Sequence, residues 1–137
     1  MYLLTILLFA VVMECRNNAA VLVSSSIGFY NYRQAANLLS VYQHLRDLGF
    51  QDRAIAMMMP ENAGCCEKNP LLGEVSLLDE DYTNLNFQLE LDHRYSTFHL
   101  HSLFDALRGC SHPSQLNKQR ISLDAHTNLL VYLTGHG

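Results

Sequence analysis

The sequence predicts an α/β fold, a mostly parallel sheet flanked by helices, on three observations. Short apolar runs at residues 19–26, 54–59 and 128–134 each have the length of a buried strand. Segments with helical periodicity lie between them, so the order is strand, helix, strand, excursion, helix, strand. Parallel neighbours require such crossovers, and the alternation calls for a sheet with covering helices. The chain has 137 residues, enough for one small domain with a real core.

The amino terminus stands apart. Residues 2–13, "YLLTILLFAVVM", are apolar except for Thr5 and run into Glu14, Cys15, Arg16 and Asn17. A bilayer span needs roughly 20 apolar residues, so this run is too short. It matches the apolar region of a secretory signal peptide, although no Lys or Arg precedes it; the other reading is an ordinary buried strand or helix. We therefore expect residues 1–16 to be a signal peptide and residues 17–137 to face an oxidising lumen.

Residues 19–26, "AAVLVSSS", read as the first buried strand. Ala35, Leu38, Leu39, Tyr42, Leu45 and Leu48 then recur at helical spacing, and Gly49 follows where helices commonly end. The spacing predicts a helix over 32–48. Residues 54–59, "AIAMMM", form the second strand, stopped by Pro60, and 61–78 carry the Asn, Gly and Pro signals of a loop. Residues 84–94 alternate at Leu85, Phe87, Leu89 and Leu91, the pattern of an exposed strand or hairpin arm. Leu100, Leu103, Phe104 and Leu107 mark a second helix with Gly109 as its stop, and 111–120 are polar loop. The last strand, 128–134, has five consecutive apolar residues and reads as fully buried; it delivers Gly135-His136-Gly137.

A formal charge of -4 with scattered cations offers no stripe for a phosphate backbone, which excludes nucleic acid as the expected partner. There is no glycine-rich nucleotide loop and no Gly-x-Ser-x-Gly elbow. The four cysteines, Cys15, Cys65, Cys66 and Cys110, contain no Cys-x-x-Cys, so a zinc site has no support. Adjacent Cys65 and Cys66 do not pair easily with each other. Either one of them bonds a distant or external cysteine, or the thiols are unpaired. The remaining histidines form no ligand pattern, whereas His136 follows a strand end, where ligands gather in parallel sheets.

Taken in order, "VLVSSSIGFYNYRQAANLLSVY", Asn69-Pro70, "LELDHR" and "LVYLTGHG" make a constellation. It resembles the catalytic subunits of glycosylphosphatidylinositol (GPI) transamidases, in the legumain-like branch of the caspase-fold cysteine peptidases. The likeness runs over 17–137 and is most specific at Tyr30-Asn31-Tyr32-Arg33, Leu39-Ser40-Val41-Tyr42 and Tyr132-Leu133-Thr134-Gly135-His136-Gly137. Gly135, where legumains typically carry Asp, and the acidic "LELDHR" favour the transamidase pattern over the asparaginyl endopeptidase one. The chain departs from the family at Ala19, Ile27 and Gln34.

This resemblance implies a caspase-like sheet truncated after the strand bearing the catalytic histidine. It makes His136 the general acid/base, Asn31 its support, the Gly137 amide an oxyanion donor and Arg33 a cleft residue; a turn residue and a helix-start side chain are the plainer roles for Asn31 and Arg33. The nucleophilic cysteine is expected on a following strand, so the chain reads as an inactive amino-terminal part of the enzyme. No cofactor is needed for the chemistry. Asp52, the Ile55 carbonyl, Glu90 and Asp92 match a structural calcium site, with a solvated acidic strand edge as the alternative. Cys65 matches a cysteine that links to a companion subunit. The implied partners are the other transamidase subunits, proprotein carboxy-terminal signal peptides and the GPI lipid. The implied place is the endoplasmic reticulum lumen, membrane-associated through the complex or a missing carboxy-terminal helix. A legumain-type endopeptidase and a non-catalytic, partner-binding fragment or paralogue are the rival readings. If no further strand follows, 129–133 should present an exposed hydrophobic edge.

Overall fold

The computed structural model describes residues 17–77, 84–86, 91, 99–108 and 121–136. Among these, strands β1 (Asn18–Ser24), β2 (Ile55–Met58) and β3 (Asn128–Thr134) form one parallel sheet in the order β2-β1-β3. Helix α1 (Tyr32–Asp47) connects β1 to β2, and α2 (Leu100–Leu107) precedes β3. The α/β class expected from the sequence is the one the chain adopts.

Central β1 explains the core. Side chains alternate across a strand, and both faces of β1 are covered, so residues 19–23 are apolar without a break. Ala20 and Leu22 pack with Ile55 and Met57 under the α1 stripe of Ala35, Leu38, Leu39 and Leu45. Ala19, Val21 and Val23 pack with Ala56, Met58 and Ile121 on the opposite face, against Leu103 and Leu107 of α2. The sheet is thus sandwiched between two helices.

Gly49 ends α1 as its position suggested. Its φ of 90° is left-handed, and the amides of Gly49 and Phe50 return to the carbonyls of Arg46 and Leu45, each at 3.0 Å. These are the paired bonds of a Schellman motif, and Phe50 supplies the apolar contact with the core. Before β3, the Asp124 carboxylate accepts from the Thr127 hydroxyl at 2.8 Å and the His126 amide at 2.9 Å. The hydroxyl first, then the amide, hold that carboxyl below its ordinary range.

Two expectations need correction. Strand β3 has the expected bounds but is not fully buried: Leu129, Leu130, Val131 and Leu133 are 40–63% exposed. Among the described residues β3 is paired along one edge, to β1, and of its side chains Tyr132 packs against the α1 core. Among the described residues, the side chains of 129–131 and 133 form an exposed apolar patch. Residues 84–86, expected to open a strand, form a turn instead. The Asn84 Oδ1 captures the amides of Val75 (3.2 Å) and Asn86 (2.9 Å), and Leu85 and Leu91 bury themselves in the core. The rest of 84–94 and the Gly109 stop lie outside the described residues, as does the expected signal peptide at 1–16. Helix α2 forms where foreseen, but Leu100 and Phe104 are exposed, so its apolar face is only half used.

These packing differences set two stability outcomes. Leu38 is fully buried, and Leu38→Ala should cost about 2–5 kcal/mol in urea unfolding. Leu133, 63% exposed on the edge strand, should tolerate Leu133→Lys within about 0.5 kcal/mol. The same change should reduce concentration-dependent association measured by light scattering; undiminished association would show that the edge is not the adhesive surface.

Candidate active site

Parallel pairing brings the carboxyl ends of β1 and β3 to one end of the sheet. The ladder continues one step past β1, with the Ser25 amide donating to the Thr134 carbonyl at 3.0 Å. The chain then turns through Gly28, whose φ of 86° and ψ of 152° are essentially open only to glycine. A short 3-10 turn, Phe29–Asn31, leads into α1. Asn31 therefore sits beside the segment that leaves β3.

His136 meets it there. The His136 Nε2 lies 2.6 Å from the Asn31 Oδ1, although the two residues are 105 apart in sequence. The Asn31 Nδ2 donates to the Ile27 carbonyl at 2.8 Å, which fixes the carboxamide with its oxygen toward the imidazole. An amide oxygen only accepts, so Nε2 carries the hydrogen and Nδ1 is the basic nitrogen. The Asn31 contact thus defines the tautomer of His136.

The neighbouring residues explain the glycine. A Cβ on Gly135 would overlap the Ser25 hydroxyl and sit 3.6 Å from the Ser26 Oγ. The Ser26 Oγ is buried and has no hydrogen-bond partner among the described residues. On the other side of the strand, the Thr134 hydroxyl donates to the Gln34 Oε1, tying β3 to the first turn of α1. A cleft of about 430 Å³ opens next to His136, lined mainly by Val23, Met58, Leu103 and Leu133, with His99 and Ser25 as polar members. That size suits a small ligand or a side chain, with few polar groups to orient it.

The structure brings together His136 and Asn31, and Arg33 follows on the first turn of α1 with an exposed side chain. Asp52 lies in a 3-10 turn and accepts from the Tyr42 hydroxyl at 2.6 Å; Ile55 is buried at the start of β2. Glu90, Asp92 and Gly137 lie outside the described residues. Among the described residues, no three His, Cys, Asp or Glu side chains cluster as a metal site. Cys65 is exposed, Cys66 is half-buried, and both are free thiols. The Asn69-Pro70 pair is structural: buried Asn69 donates to the carbonyls of Glu74 (2.7 Å) and Ala63 (3.3 Å) and accepts from the Leu71 amide. Sequence reading did not single out Ser25 or His99 as cleft residues, because only the folded chain brings them beside His136.

A parallel sheet flanked by helices is the architecture of the caspase-like peptidase class. The chain belongs to the Peptidase C13 family, whose model matches residues 18–137. It is 34% identical over 128 residues to the GPI-anchor transamidase of Sus scrofa, covering 88% of this chain and 31% of that protein. It is also 34% identical over 122 residues to that of Homo sapiens, with the same coverage, and 36% over 121 residues to a candidate GPI-anchor transamidase of Caenorhabditis elegans, covering 38% of it. The chain spans about a third of the length of these curated relatives.

The Gly135 contact yields a double-mutant test. Gly135→Ala should destabilise the chain by about 1–3 kcal/mol through overpacking against the Ser25 hydroxyl. Ser25→Ala leaves a 3.4 Å contact to its own Cβ, so the pair Ser25→Ala/Gly135→Ala should recover most of the loss in thermal melts. Strict additivity of the two changes would reject the contact as the reason for glycine.

Proposed function

We propose that this chain is the amino-terminal part of a GPI transamidase catalytic subunit, which cleaves the carboxy-terminal signal of a proprotein and transfers the new carboxyl end to the GPI ethanolamine amine. The Asn31–His136 pair at the strand ends carries the proposal, supported by relatives that are named GPI-anchor transamidases. In this reading a cysteine thiolate attacks the attachment-site carbonyl. The resulting oxyanion takes hydrogen bonds from backbone donors that include the Gly137 amide. The imidazolium Nδ1–H of His136 protonates the leaving peptide amine, and a thioester forms. The ethanolamine amine then attacks the thioester, Nδ1 accepts its proton, and the thiolate leaves.

Among the described residues no cysteine lines the cleft beside His136, and in this reading the nucleophile belongs to the part of the relatives' length that this chain does not span. Arg33 is assigned to the substrate cleft. Among the described residues no helix is long and apolar enough to cross a membrane, and we assign the chain to a membrane-associated complex in the endoplasmic reticulum. Exposed Cys65 is the candidate for a disulfide to a companion subunit. Asp52, Glu90, Asp92 and the Ile55 carbonyl are hard oxygen donors, a set that suits calcium. Such an ion would tie the excursion after β2 to the sheet and take no part in the chemistry. Asp52→Asn with Asp92→Asn should then abolish a calcium-dependent rise in melting temperature, since binding to the folded state stabilises by mass action; a wild type indifferent to millimolar calcium rejects the site.

The functional test places residues 18–137 in the pig enzyme in exchange for the matching segment, in cells without their own catalytic subunit. The chimera should restore GPI attachment to a reporter, and His136→Ala should lower transfer by about 10² to 10⁴-fold. Release of cleaved but unanchored reporter would move the reading to an endopeptidase. A folded chimera that neither cleaves nor transfers would overturn it. The 137-residue chain alone should show no thiol-dependent hydroxylamine transfer on a GPI-signal peptide.

A further inference from the structure

The turn that carries Asn31 is itself held by a carboxylate from another strand end. The peptide joining Ile27 to Gly28 is hydrogen-bonded on both sides: its N–H donates to the Glu61 Oε1, and its carbonyl accepts from the Asn31 Nδ2 at 2.8 Å. The Asn31 Oδ1 in turn faces the His136 Nε2 at 2.6 Å. Every hydrogen in this line points the same way, from the imidazole toward the carboxylate.

We propose that Glu61 is a positioning residue for His136, acting through the peptide between Ile27 and Gly28 and through the Asn31 carboxamide. This rests on the reading of His136 as the acid/base. A hydrogen bond to a carboxylate is stronger than one between neutral groups. It polarises the peptide and makes the Ile27 oxygen a better acceptor for Asn31. That in turn makes the Asn31 oxygen a better acceptor for the imidazole N–H, since aligned bonds reinforce one another. Glu61 follows Pro60 just beyond β2, so the line also joins all three strand ends: β2 through Glu61, β1 through residues 27–31, and β3 through His136.

Gly28 makes the geometry reachable. Its backbone, at φ 86° and ψ 152°, is one an L side chain rarely adopts, yet no atom lies within 4 Å of where a Cβ would be. Backbone conformation rather than space therefore demands glycine here. Sequence alone offered no sign of this contact, since Glu61 stands 33 residues from Gly28 in what reads as loop.

The first test uses the chain itself with ¹⁵N-labelled histidine, His136 being assigned by the signals lost in His136→Ala. Wild-type His136 should show the Nε2–H tautomer with a protected proton. Glu61→Ala should lose that protection and mix the tautomers. Glu61→Gln, which keeps an oxygen of the same reach without the charge, should be intermediate. Unchanged His136 signals in folded Glu61→Ala would overturn the proposal. If that variant does not fold, Nε2–H exchange in Glu61→Gln equal to wild type would overturn it as well.

The second test uses the chimeric transamidase. Glu61→Ala should lower kcat by about 10- to 100-fold, the scale expected when a catalytic group is misplaced, and leave KM within about twofold. A raised KM with kcat intact would instead make Glu61 a substrate contact and sink the inference. A wild-type chimera without activity would count against the functional reading alone, and the spectra of His136 would still decide the role of Glu61.

Discussion

The parallel register of β1 and β3 is the constraint on which the site depends. Pairing runs unbroken from Asn18 opposite Asn128 to Ser24 opposite Thr134, and the Ser25–Thr134 bond extends it. Because the strands are parallel, both leave the sheet at the same end, which is how residues 31 and 136 come within hydrogen-bonding distance. A one-residue slip would turn Tyr132 and Thr134 away from α1 and reverse every face of β3. Burial of β1 on both sides enforces the register from one direction. The Thr134–Gln34 contact enforces it from the other, one residue before Gly135.

Elements whose cause is local were legible in the sequence. The apolar stripe of α1 and the terminal Gly49 gave its limits because propensity and capping act within a few residues. The bounds of β3 were legible for the same reason, but its exposure was not, since burial depends on how many neighbours a strand acquires. Residues 84–86 misled because Leu85 fits an alternating pattern, whereas the Asn84 side chain competes for backbone amides and bends the chain into a turn. The His136–Asn31 pairing was readable only through family likeness. The reasons for Gly135 and Gly28, lying in contacts with Ser25 and in backbone shape, required the folded chain.

The described part of the excursion after β2, residues 61–77 and 84–86, is held without sheet pairing, and this bears on the site. Its backbone groups are satisfied by side chains and turns, as buried peptide groups must be. Asn69 binds Ala63, Leu71 and Glu74, the Asn86 Nδ2 donates to the Gly73 carbonyl at 3.0 Å, and the Tyr32 hydroxyl both accepts from the Ser76 amide (2.8 Å) and donates to its carbonyl (3.3 Å). Tyr32 directly follows Asn31, so the loop is fastened to the residue that begins α1. The Lys68 ammonium over the Tyr30 ring, 5.1 Å from its centre, adds a contact on the other flank of Asn31. A segment that reads as loop therefore serves as scaffold.

The choice of asparagine beside the histidine follows from the two jobs of the imidazole in the proposed chemistry. As an acid it must release a proton to the departing amine; as a base it must take one from the incoming amine. A carboxylate bonded directly to Nε2 would favour the imidazolium strongly and weaken it as an acid. A neutral carboxamide fixes the tautomer with a smaller bias. Placing the Glu61 carboxylate beyond one peptide and one carboxamide keeps the alignment that a charge provides while diluting its pull on the ring. The carboxamide contacts the ring and the carboxylate stands two groups away, and the glycine conformation at position 28 is what lets the two be separated in space.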